Sequence, residues 1–162
     1  MTHDILIVDD TLKNLQVTGK LLKDEGYLIS LAQSGQSALT QIQQQKPDLI
    51  LLDIMMPEMD GLEVCRRIKL DDKFNDIPVL FLTAKNETED LVKGFEAGGV
   101  DYVTKPFNRE ELLIRVKNHL ELAYSRNKIV ELNQTRDKIH SIIAHDIRSP
   151  LSNISMVIQS IS

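Results

Sequence analysis

A chain of 162 residues with 42% hydrophobic residues has enough apolar surface for one packed α/β core and a short extension. Its net charge of −5, without any run of Lys or Arg, argues against a nucleic-acid-binding surface. No stretch reaches the ~20 apolar residues of a membrane span, and one cysteine, Cys65, makes no internal disulfide, so the expected place is the cytoplasm without direct membrane contact.

Short apolar runs alternate with amphipathic stretches along the first two thirds of the chain. Ile5–Val8 reads as a strand, followed by a helix near Thr11–Glu25. Tyr27–Ala32 precedes a helix near Gly35–Gln45, and Leu49–Leu52 precedes one near Gly61–Lys69, with Asp60 as its cap. Val79–Leu82 leads to a helix near Thr88–Ala97, and Tyr102–Val103 is the last strand. Gly26, Pro47, Pro78 and Gly98-Gly99 punctuate the joins. Most of the runs lack in/out alternation, which is the mark of strands covered by helices on both faces. The expected fold is α/β: a doubly wound five-stranded parallel sheet of flavodoxin-like type, strand order 2-1-3-4-5, with a long C-terminal helical extension.

From Asn108 to Ser162 helical periodicity hardly breaks. Asn108 with Glu111 at N3 suggests a capping box. Leu113, Val116, Leu120 and Ala123 form one stripe, suited to packing on the sheet. Leu122, Ile129, Leu132, Ile139 and Ile143 form a second at heptad spacing, interrupted by Ser125 and Arg136. A single helix cannot bury that second stripe; it is either a solvated linker or pairs with another helix, most simply that of a second copy.

In a doubly wound sheet the functional crevice lies beyond the carboxyl ends of the strands. There the first run is followed by Asp9-Asp10, the third by Asp53, the fourth by Thr83 and the fifth by Thr104-Lys105-Pro106. Carboxylates gathered this closely raise one another's pKa unless a cation joins them, and hard oxygen donors with room for water suit Mg²⁺.

Asp9-Asp10, D-I-M-M-P-x-M-D-G from Asp53 to Gly61, F-L-T-A from Phe81 to Ala84 and T-K-P from Thr104 to Pro106 together resemble the signature of response-regulator receiver domains. The resemblance implies that Asp53 accepts a phosphoryl group. It implies Mg²⁺ on Asp9, Asp10, Asp53 and the Met55 main-chain carbonyl, Lys105 on the phosphoryl oxygens, and a cis Lys105–Pro106 peptide. Thr83 and Tyr102 would form the switch pair that answers to phosphorylation. The implied phosphodonor is a histidine kinase or a phosphotransfer protein.

The stretch His145–Leu151, H-D-I-R-S-P-L, is similar to the H-box of histidine kinase dimerisation and phosphotransfer domains. His145 would be the phosphohistidine and Asp146 its acidic neighbour. His119 and His140 lack that context and read as ordinary surface histidines. The expected organisation is a receiver at 1–122, a helical coiled-coil linker at 123–138 and the truncated first phosphotransfer helix at 139–162. Two functions follow as expectations. A Mg²⁺-dependent receiver regulates an attached histidine kinase through a dimeric helix, or it serves as a relay station exchanging phosphate between Asp53 and His145. With no ATP-binding segment within residues 1–162, the chain itself would be at most a self-phosphorylating receiver with aspartyl-phosphate turnover, cut from a longer kinase or a natural fragment.

Overall fold

The computed structural model describes residues 2–84 and 88–161, with side chains at 2–84 and 91–143. Five strands, β1 (Asp4–Val8), β2 (Leu28–Ala32), β3 (Leu49–Asp53), β4 (Val79–Ala84) and β5 (Asp101–Lys105), alternate with α1 (Leu12–Asp24), α2 (Gly35–Gln44), α3 (Gly61–Leu70), α4 (Thr88–Glu96) and α5 (Arg109–Ile161). All strand pairs are parallel and the order is β2-β1-β3-β4-β5. This is the doubly wound, flavodoxin-like arrangement expected from the alternation of apolar runs.

Strand periodicity sends alternate residues to opposite faces, and each face has its own core. Leu6, Val8, Ile50 and Leu52 pack with Val64 and Ile68 of α3. Ile5, Ile7, Leu49 and Leu51 pack with Leu15 of α1 and Val116 of α5. β3, central and buried at every residue, carries Asp53 at its end. Burying a residue such as Leu51 under the helices of its own face removes it from water and contributes about 1.5–3 kcal/mol.

The starts of α2, α3 and α5 are capped by short polar side chains, whereas Thr11 at the start of α1 makes no such bond. Ser34 accepts from the Ser37 N–H at 3.1 Å, and Asp60 accepts from the Glu63 N–H at 2.8 Å. At α5, Asn108 accepts from the Glu110 N–H at 2.8 Å, while the Glu111 carboxylate pairs with Arg115 at 3.2 Å. The expected capping box therefore gives way to a simple cap, because Arg115 one turn on offers Glu111 a charged partner.

Two other expectations change. The core stripe of α5 is Leu112, Val116 and Leu120, with Leu113 and Ala123 only partly buried. Both leucines fit a 3–4 spacing, and the register of α5 on the sheet selects Leu112. β5 spans Asp101–Lys105, longer than its apolar pair, because an edge strand needs fewer apolar residues. The opposite edge is β2, mostly exposed, where the Gln41 side-chain amide donates to the outward carbonyl of Leu31 at 2.8 Å.

The chain divides into two compact units, Met1–Ala123 and Tyr124–Ser162. In the second, every side chain described, from Tyr124 to Ile143, is exposed. Among the described residues no helix is long and apolar enough to cross a membrane.

Candidate functional site

Because the strands are parallel, the residues after β1 and at the ends of β3, β4 and β5 share one rim of the sheet. Asp9 and Asp53 are buried there, and Asp10 is exposed. Carboxylate oxygens of the three lie within 4.8 Å of one another. The Lys105 ammonium donates to Asp9 Oδ2 at 2.8 Å and lies 3.5 Å from Asp53 Oδ2. The remaining oxygens of the two buried aspartates also have partners. Asp9 Oδ1 accepts from the Thr11 N–H at 2.9 Å, and Asp53 Oδ1 accepts from the Met55 N–H at 3.3 Å.

Burial pushes the Asp53 carboxyl above its ordinary value; Lys105 pulls it down and Asp9 pushes it up again, with burial dominant. One ammonium against three ionised carboxylates leaves two negative charges at the rim. An all-oxygen set with that residual charge and one solvent-facing member fits a hard divalent cation.

The loop after β3 is held close to the strand end. Its Ile54 and Met56 side chains are buried, the Ile54 N–H donates to Leu82 at 3.3 Å, and the Gly61 N–H donates to the Ile54 carbonyl at 2.9 Å. Gly61 has no room for a side chain, since a Cβ would collide with the Asp53 carbonyl. Met55 itself is exposed beside Asp53.

Thr83 is buried on β4, its hydroxyl donating to the Ala84 carbonyl at 3.0 Å. Tyr102 is paired in register with Phe81, half-buried, and meets Phe95 edge-on with ring centroids 6.0 Å apart. By the two-residue period, Thr83 and Tyr102 belong to the same face of the sheet. The Lys105–Pro106 peptide is cis. The structure thus brings Asp9, Asp10, Asp53 and Lys105 together, with Thr83 and Tyr102 on the neighbouring strands. The side chains of His145 and Asp146 lie outside the described residues.

One charged cluster was not anticipated. Asp101 receives both bonds of a bidentate contact from Arg115, at 2.9 and 2.8 Å, and His119 Nε2 lies 3.0 Å from the same carboxylate. His119 is therefore no ordinary surface histidine: it helps tie α5 to β5. Its four-residue spacing from Arg115 was the available signal, because that places both on one helix face.

The sequence profile of the response regulator receiver domain matches residues 5–117. Several solved structures are similar to this chain. A candidate response regulator from Chloroflexus aurantiacus is 38% identical with a TM-score of 0.73, covering 75% of this chain and 99% of its own. The signal receiver domain of a signal transduction histidine kinase from Syntrophus aciditrophicus is 34% identical, TM-score 0.69, with 74% and 90% covered. The chemotaxis protein CheY4 of Vibrio cholerae is 30% identical, TM-score 0.70, with 73% and 98% covered.

Proposed function

Given that this chain belongs to the response-regulator receiver family of two-component signalling across residues 5–117, we propose that it takes up a phosphoryl group on Asp53 in a Mg²⁺-dependent reaction and passes the outcome to α5. The observation that carries this reading is the position of Asp53. It ends the central strand, buried, within reach of two further aspartates and one lysine.

Asp53 is the nucleophile. A carboxylate oxygen attacks the phosphorus of a phosphohistidine or a small acyl phosphate, the bond to the donor breaks, and the donor leaves with the electron pair. Asp9, Asp10, Asp53 and the Met55 carbonyl would hold Mg²⁺, which when bound would supply the positive charge that lets two anions approach. Lys105 already spans Asp9 and Asp53, so its ammonium needs only a small shift to meet a phosphoryl oxygen. The Met55 N–H, bonded to Asp53, limits the orientations open to the carboxylate. The aspartyl phosphate carries about −1.5 to −2 charge in place of the single charge of the carboxylate; the Thr83 hydroxyl turns to meet it, and Tyr102 shifts with it.

The output side of the reading is a helix pair. The exposed stripe on α5 supports pairing with a second copy, and the H-box resemblance around His145 supports an attached histidine kinase as the regulated module. The same motif supports a second use, phosphoryl exchange between His145 and Asp53. Rapid loss of label from His145 only when Asp53 is intact would favour that relay.

Intact-protein mass after incubation with a small acyl phosphate tests the central claim. One added phosphoryl group that requires both Mg²⁺ and Asp53, and is lost in Asp53→Asn, is the expected result. No uptake by folded protein would overturn it.

A further inference from the structure

Leu122, Ile129 and Ile143 occupy a positions of a heptad repeat and Leu132 and Ile139 d positions, and each is roughly half exposed, from 49 to 59%. Ser125 and Arg136 complete the a/d series. Within the unit Tyr124–Ser162 nothing covers Ile129, Leu132, Ile139 or Ile143 among the described residues. A lone helix in water gains nothing from an apolar seam, so the pattern calls for a partner with the same spacing.

We propose that residues 122–143 pair with the same segment of a second copy of this chain, parallel and in register, with Arg136 as the charged layer that sets the register and weakens the seam. The proposal rests on the reading that α5 carries a helix pair, and it adds orientation, register and the layer on which they depend.

Charge complementarity selects the arrangement. In a parallel pair, g positions face e positions five residues on. Glu121 of one copy then faces Arg126 of the other, while Lys128 faces Asn133 and Thr135 faces His140. One pair attracts, and none sets two carboxylates or two strong bases together. The antiparallel arrangement that still matches apolar layers sets Ile129 on Leu132 and Leu122 on Ile139. It leaves Ile143 on Asn118 and Glu121 on Ile142, so an apolar layer and the attractive pair are both lost.

Arg136 removes the slipped parallel alternatives. In register, Ser125 meets Ser125 and Arg136 meets Arg136, where long guanidinium stems can turn their heads outward to water. A slip of one heptad sets Arg136 against Ile129 and Ile143 and Ser125 against Leu132. A polar residue at an a position thus specifies register at the expense of stability. Two like charges near the seam also mean that added salt relieves a repulsion at Arg136, a gain specific to that layer and opposite in sign to the loosening of the Glu121–Arg126 contact.

Ser125→Cys in the full chain, exposed to a mild oxidant, tests this directly. The natural chain is the control for Cys65, which is buried. The expected result is a disulfide-linked dimer from Ser125→Cys alone and none from Asn127→Cys on the outer face. A crosslink that forms only in a mixture of Ser125→Cys and Arg136→Cys chains would mean antiparallel pairing and overturn the proposal. No crosslink, with a monomer by sedimentation at the highest soluble concentration, would overturn it too. As a second measurement, Arg136→Ile should tighten the dimer roughly tenfold and abolish the gain with salt; a weaker dimer would contradict the assigned layer. Crosslinking needs no phosphodonor, so its failure is distinguishable from failed phosphoryl uptake at Asp53.

Discussion

Gly61 stands so close to the main-chain carbonyl of Asp53 that the start of α3 and the end of β3 are fixed against each other. A methyl group at Gly61 would also approach the Ile54 Cα at 2.9 Å, and backbone atoms cannot swing away as a flexible side chain can. Gly61→Ala should therefore lose about 1–3 kcal/mol, the usual toll of overpacking. Phosphoryl uptake should slow more than global stability alone explains, since the displaced atoms belong to the acceptor residue. Urea unfolding and the mass assay on the same variant check both halves.

The burial that raises the Asp53 carboxyl makes its negative charge a cost to the folded state. With the folded value above the unfolded one, stability is greatest below the unfolded pKa and declines as pH rises through the folded value. Without divalent cation at neutral pH, Asp53→Asn should melt above the natural chain. Millimolar Mg²⁺ should reverse the order by stabilising the natural chain, by about 2.7 kcal/mol at a hundredfold excess over Kd, and Asp53→Asn much less. Thermal melts with and without Mg²⁺ would decide, and a natural chain indifferent to Mg²⁺ would contradict the metal assignment.

Lys105 is the ammonium shared by Asp9 and Asp53, and it is only about a quarter exposed. Lys105→Met leaves those carboxylates facing each other without a counter-charge. A loss of about 1–3 kcal/mol is expected in the absence of metal, together with phosphoryl uptake slowed roughly 10- to 100-fold. Added Mg²⁺ should restore stability more fully than rate, because only the ammonium is suited to follow the transferred group. Equal restoration of both would remove Lys105 from the chemistry.

At the far side of β5, burial alone would raise the Asp101 carboxyl, but Arg115, the Tyr102 N–H and His119 outweigh it and hold it below its ordinary value. A depressed folded value adds stability above the unfolded pKa, and that stability disappears as pH falls through the folded value. Asp101→Asn should lose about 1.5–3 kcal/mol at neutral pH, and the difference from the natural chain should shrink in acid. A pH series of denaturation midpoints checks the sign.

Most of this fold was legible because its information is local. The run Leu49–Leu52 is apolar at every position and short, so a buried strand was the natural reading; Asp60 before Gly61 announced α3. The acidic rim was legible for a topological reason, since parallel strands bring their carboxyl ends together whatever the details of packing. What escaped depends on contacts between distant residues. Leu113 and Leu112 fit the same spacing, and only the seating of α5 on β5 chooses between them. Asp101 carried no sequence signal of its own, and only the same seating places Arg115 and His119 on it. Nor does a sequence pattern reveal that Gly61 abuts the Asp53 carbonyl, a separation set by the loop between them.

The contact of Gln41 with Leu31 bears on what happens to this protein when it is concentrated. β2 is an outer strand, and Leu28 and Leu31 are exposed on it, which is the profile of a template for further strands. By occupying an outward carbonyl, the Gln41 amide leaves an incoming backbone one fewer partner in its ladder. Gln41→Ala should hardly alter the melting temperature, yet solutions should turn turbid sooner on storage. The side chain then acts as a guard on colloidal lifetime, a property distinct from the free energy of folding.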